Sequence, residues 1–129
     1  MANRSFYPSF SYGFGRVYAD FQFQTNGASP PLSATFDGAD IIASIAYSAV
    51  GTLIITLKDN FNKVVSIMAD LDDTVNDGAY ASIGSVTNEG TSTPIVFTLF
   101  TRSAGGTKTD YSGRTVRITA AFRNSTLKK

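Results

Sequence analysis

Nine aspartates and one glutamate carry most of the acid–base or metal chemistry this chain could offer, because it contains neither histidine nor cysteine. Only Asp70, Asp72, Asp73 and Asp77 form a dense group. A calcium loop of the EF-hand type takes oxygen ligands at alternate positions, a glycine at the sixth and a glutamate at the twelfth. With Asp73 placed first, Gly78 falls correctly, but Val75 occupies a ligand position and Gly84 stands where the glutamate should be. The group reads as a solvated turn, with an irregular cation site as the alternative. A glycosidase would need two carboxyl groups about 5–10 Å apart around a sugar. The sole glutamate, Glu89, sits in a polar turn instead. Serine nucleophiles lack an imidazole to activate them, and Gly13-Phe14-Gly15 falls short of a phosphate-binding glycine loop. No catalytic residue, cofactor or metal ligand is expected, and a role in binding is.

The elements that would position such residues follow from composition and periodicity. A chain of 129 residues is one domain with a real core. Charged residues make up 16%, below the usual quarter, whereas Ser and Thr supply 29 residues, so much of the surface is neutral hydroxyl. Such a surface suits packing against protein. The net charge of +1, with basic residues scattered along the chain, gives no reason to expect nucleic acid. No apolar run reaches the ~18 residues of a membrane span. No basic segment followed by an apolar run opens the chain, so a cytoplasmic product without a signal peptide is expected.

Apolar residues recur with period two, the mark of half-buried strands. Val17, Ala19, Phe21 and Phe23 alternate with polar neighbours, as do Ile95, Phe97 and Leu99, and Val116, Ile118, Ala120 and Phe122. Residues 41–47, 52–57 and 64–71 are three apolar runs separated by breaks too short for a helical crossover. They are expected to form a three-stranded antiparallel meander, with Leu53, Ile55 and Leu57 on one face and Val65, Ile67, Ala69 and Leu71 on another. Residues 79–86 read as a modest strand weakened by Gly84, and 32–40 as a short edge strand or loop. Residues 25–31, 72–78, 87–93 and 103–113 read as turns and loops. The result is an all-β chain, an antiparallel β-sandwich or jelly roll of seven to eight strands, with a closed barrel as the alternative.

Residues 1–15 differ from the rest. Phe6, Tyr7, Phe10, Tyr12 and Phe14 place five of sixteen aromatics among Ser, Pro and Gly. Ordering fifteen residues costs about 15–30 kcal/mol. Burying five rings returns about 19–31 kcal/mol. Such a segment is ordered only if nearly every ring finds a surface, which points to an extended arm docked on a neighbouring subunit; an internal edge strand, with Pro8 confined to an edge, and a disordered segment are the alternatives. The organisation expected is an aromatic arm over 1–15, a sandwich domain over 16–125 and a basic tail over 126–129.

Residues Val50-Gly51-Thr52-Leu53-Ile54-Ile55-Thr56-Leu57, followed by Asp59-Asn60-Phe61 and a further strand, form a glycine-led strand running into an acidic, aromatic turn. Gly15-Arg16-Val17 opens a strand ending at Asn26-Gly27, and Val116-Arg117-Ile118-Thr119-Ala120-Ala121-Phe122 runs into Arg123-Asn124-Ser125. Over about residues 15–125 this pattern resembles small tailed-bacteriophage virion structural proteins. The resemblance implies a capsid decoration (cement) protein, a homotrimer that binds the major capsid protein on the outer surface of the shell and stabilises it. It assigns no site residues, and the aromatic arm has no counterpart in it. A tail, baseplate or fibre-tip component shares the fold. A carbohydrate-binding sandwich, using loop residues such as Asp110-Tyr111, is a third possibility.

Overall fold

The computed structural model describes residues 9–12, 16–38, 40–72 and 74–123, the first group by its backbone alone. Seven long strands and one four-residue edge strand build two antiparallel sheets. Strands β1 (Ser9–Tyr12), β2 (Arg16–Asn26), β8 (Ser112–Arg123) and β5 (Lys63–Leu71) make the first sheet in that order. Strands β3 (Ile42–Ala49), β4 (Thr52–Leu57), β7 (Val96–Arg102) and β6 (Tyr80–Thr87) make the second. No ladder joins the two sheets among the described residues, so they form an open sandwich.

The alternation in sequence becomes the alternation of burial. On β2, Val17, Ala19, Phe21 and Phe23 point between the sheets, and on β8, Val116, Ile118, Ala120 and Phe122 meet them in register, Val17 opposite Phe122 and Phe23 opposite Val116. From the facing sheet come Leu53, Ile55 and Leu57 of β4 and Phe97 and Leu99 of β7. Phe21 and Phe97 touch across the layers with ring centroids 6.5 Å apart. The opposite faces of these strands carry the polar residues, as expected where one side of a sheet packs and the other is solvated.

The expected meander over residues 41–71 does not form. Strands β3 and β4 pair as a hairpin, but β5 leaves that sheet and pairs with β8 in the other. The five-residue connection 58–62 crosses the edge of the sandwich. At its centre Phe61 turns inward and stacks on Phe122, centroids 4.2 Å apart and planes 9° from parallel. The Lys58 N–H donates to Ile41 and the Asn62 N–H to Arg123, tying one end of the loop to each sheet. Because β4 pairs with β7 while β5 pairs with β8, the crossings from β4 to β5 and from β7 to β8 interlock the layers.

The predicted face of β5 also needs one correction. A bulge between Val64 and Ser66 breaks the period of two, so that Val64 packs on the core and Val65 is 43% exposed. Ile67, Ala69 and Leu71 keep the inward face. Residues 32–40 contain a turn of 3-10 helix at Ser33–Thr35, after which Asp37 bridges to Gln22. Strand β6 carries a register shift between Ile83 and Val86, next to Gly84, where an added Cβ would lie 2.6 Å from the Phe100 ring.

Candidate functional site

The acidic residues singled out in sequence are distributed over structural tasks. Asp77, in the connection from β5 to β6, accepts two hydrogen bonds from the Arg114 guanidinium, at 3.0 Å from Nη1 and 2.5 Å from Nη2. Its Oδ1 also accepts from the Ala79 N–H at 3.1 Å. Arg114 is almost wholly buried and lies over the Tyr111 ring, with its Cζ 4.5 Å from the centroid. Asp70 stands on β5 beside Arg117 at 3.8 Å, both largely exposed, and Asp73 lies outside the described residues. Among the described residues no group of three or more His, Cys, Asp or Glu could hold a metal ion.

Glu89 and Asp110 have similar roles. The Glu89 carboxylate accepts the Val64 N–H at 2.6 Å and stands 3.9 Å from Lys63, holding the start of β5 where the edge strand would otherwise fray. Asp110 accepts the Gly51 N–H at 2.7 Å and the Tyr47 hydroxyl at 3.1 Å. It thereby fastens the β3–β4 hairpin to the loop before β8. Burial, together with the hydrogen bond to Asp110 and its negative charge, raises the Tyr47 hydroxyl above its ordinary value of 10.0. Gly51 is required at this join. Its φ is +61°, and an added Cβ would stand 2.6 Å from the Thr109 nitrogen and 2.7 Å from the Thr101 oxygen.

Of the predicted arm residues, Phe6, Tyr7 and Phe14 lie outside the described residues, as do Gly13 and Gly15. Phe10 and Tyr12 lie on β1, which pairs with β2 so that Phe10 stands opposite Tyr18 and Tyr12 opposite Arg16; their side chains are outside the described residues. Beyond Ser9 the edge of β2 is already closed. The Gln22 N–H donates to Asp37 at 2.9 Å and the Asp37 N–H returns to Gln22 at 2.8 Å. A strand continued past Ser9 in the register of β1 would meet this bridge.

What remains open is the outer face of the β1–β2–β8–β5 sheet. Met68 of β5 is 67% exposed and Tyr18 of β2 is 38% exposed. Ala121 of β8, directly opposite Tyr18 on the same face, is buried, and Met68 stands opposite Thr119 in the next outward row. Val65 stands out beside them at the bulge. Farther along the same face an open groove of about 430 Å³ runs between Asp20, Gln22, Asp37, Arg117 and Thr119. Sequence reading missed this face because its residues are the weakly patterned, outward half of each strand. Only the register of β2, β8 and β5 brings Tyr18, Ala121 and Met68 together. No helix among the described residues is long and apolar enough to cross a membrane. Comparison with protein-family models, with curated proteins and with solved structures found no match.

Proposed function

We propose that this chain is a structural binding module of a virion, a capsid decoration protein that sits on the outer surface of the shell and bridges its major capsid protein. The observation that carries the reading is the outer face of the β1–β2–β8–β5 sheet. It presents Met68, Tyr18 and Val65 to solvent around a small, flat Ala121. Methionine and aromatic side chains are enriched in the centres of protein interfaces, and an apolar patch bordered by polar and charged residues suits contact with another protein. The interlocked sheets supply rigidity, and the resemblance of residues 15–125 to tailed-phage structural proteins supplies the class of partner. Repetition of the module, as the homotrimer that resemblance implies, would let modest contacts act together through multivalency on a symmetric shell.

The test is cosedimentation of purified protein with shells that lack it, taken from the tailed phage that encodes the chain. The wild type should pellet with the shells. The double variant Tyr18→Asp, Met68→Asp should stay in the supernatant while keeping the wild-type circular-dichroism spectrum, because both side chains are outside the core. Binding that survives the double substitution would place the contact elsewhere, and a wild type that never pellets would end the reading. Removal of residues 1–14 checks the arm: a truncated chain of unchanged melting temperature and unchanged binding would exclude an anchoring role for its five aromatics.

A second reading draws on the groove beside Tyr18. Its carboxylates, amide, guanidinium and hydroxyl are the side chains that bind sugar hydroxyls, and a neighbouring aromatic is a surface on which a sugar ring can lie. A glycan array without hits would remove it.

A further inference from the structure

We infer that Arg16, Arg123 and Lys63 form a binding site for side-chain carboxylates on the protein to which this module docks. The inference deepens the docking role proposed above and rests on it for the partner's identity, though the site can be tested without that partner. Strand register places the three residues abreast. Arg123 of β8 stands directly opposite Arg16 of β2 on one side and opposite Lys63 of β5 on the other. Val17, Phe122 and Val64, their neighbours in sequence, turn toward the core. All three cations therefore emerge on the outer face, one row from Tyr18 and Ala121. Adjacent strands are about 4.8 Å apart, so the row spans about 10 Å.

Like charges directly opposite one another weaken a sheet, and this row has two such pairs with little to relieve them. Among the described residues only Lys63 has an acidic neighbour, Glu89 at 3.9 Å, and that carboxylate is also held by the Val64 N–H. Among the described residues no carboxylate forms an ion pair with Arg16 or Arg123. The Nε of Arg123 is, in addition, buried with no acceptor among the described residues, an arrangement that costs stability.

The other described arginines are engaged. Arg114 holds Asp77 with both terminal nitrogens, Arg117 stands by Asp70, and Arg102 donates to Ser82 and to the Gly106 carbonyl. Residues 1–15 and 124–129 contain no Asp or Glu and add Arg4, Lys128 and Lys129. A ligand from outside is what the row is built to accept. Guanidinium groups match carboxylates through paired N–H donors in one plane, and a single row of three cations suits one or two carboxylates better than the phosphate track of a duplex.

The experiment follows the side-chain Nε–Hε signals of the isotopically labelled full chain at low salt. The probes are a glutamate-rich peptide and, separately, a short DNA duplex. With the peptide, the Arg16 and Arg123 signals should shift saturably while those of Arg114 and Arg117 stay in place. Arg16→Ala should weaken the peptide by about tenfold without lowering the melting temperature. Arg123→Lys, which keeps the charge and removes the planar guanidinium, should weaken it too. Signals that do not move with the peptide overturn the inference, and so does a duplex that shifts them as strongly as the peptide does. Saturable peptide binding by a protein that never pellets with shells would remove the docking role and leave the site. Undiminished shell binding by the Arg16→Glu, Arg123→Glu variant would remove the site and leave the docking role.

Discussion

Replacing Asp77 by asparagine keeps the shape of the side chain and removes the charge facing Arg114. Arg114 is 10% exposed at its side chain and Asp77 41%, so a nearly buried guanidinium is held by a half-open carboxylate. Breaking a buried ion pair from one side costs about 3–5 kcal/mol, because the remaining charge stays where water cannot reach it. The exposure of Asp77 lets solvent replace part of that interaction, and the asparagine oxygen can still accept one hydrogen bond. A loss of about 2–3 kcal/mol follows. Unfolding entropy of about 2.1 cal/mol/K per residue converts this to a fall of about 7–11 °C in melting temperature for a chain of this length. Calorimetry measures it, and a double-mutant cycle with Arg114→Met isolates the pair. Removing the guanidinium as well should recover part of the loss, since the buried charge is then gone. A midpoint within about 1 °C of wild type for Asp77→Asn would refute the reasoning, as it would mean that the pair does not hold the β5–β6 connection to β8.

Gly51→Ala should destabilise the protein by about 2–4 kcal/mol, because the new Cβ meets backbone atoms of Thr101 and Thr109 at a positive φ; urea titration checks it. Tyr47 gives a pH signature. Its hydroxyl is held above the ordinary value, so the folded state keeps the proton that the unfolded chain releases. The contribution is therefore complete below pH ~10 and is lost as pH rises from there through the raised value. Tyr47→Phe should flatten the alkaline fall in stability seen between urea titrations at about pH 9 and pH 11, and an identical fall in the variant would contradict the assignment.

The strands themselves were legible in the sequence because each central strand buries one face. Phe21 and Phe23, Leu53 to Leu57, Phe97 and Leu99, and Val116 to Phe122 carry that burial in plain alternation. Their partners were less legible. A five-residue break after Leu57 fits a hairpin as well as a crossing between sheets, and strand periodicity says nothing about which sheet follows. Phe61 was the available clue, since an aromatic at the centre of a polar loop has to be buried somewhere, and Phe122 is where it goes. The bulge at Val65 could not be read, because two consecutive valines satisfy either register.

The candidate site was harder still. Asp77 with Arg114 and Glu89 with the Val64 N–H are contacts between residues far apart in the chain, and nothing in the local spacing announces them. For the same reason the acidic group at 70–77 looked like a unit in sequence, although Asp70 and Asp77 turn to different arginines in the fold. The Arg16–Arg123–Lys63 row combines the first residue of β2, the last of β8 and the first of β5, and only antiparallel register gathers them.

The most direct measurement of the central claim is hydroxyl-radical footprinting of the protein free and bound to its shell. Met68 and Tyr18 are exposed and chemically responsive side chains on the face proposed to dock, whereas Tyr80, 41% exposed, belongs to β6 of the other sheet. On the shell, oxidation of Met68 and Tyr18 should drop several-fold while that of Tyr80 is unchanged. Equal oxidation of Met68 in the two states, or protection of Tyr80 instead, would contradict the account.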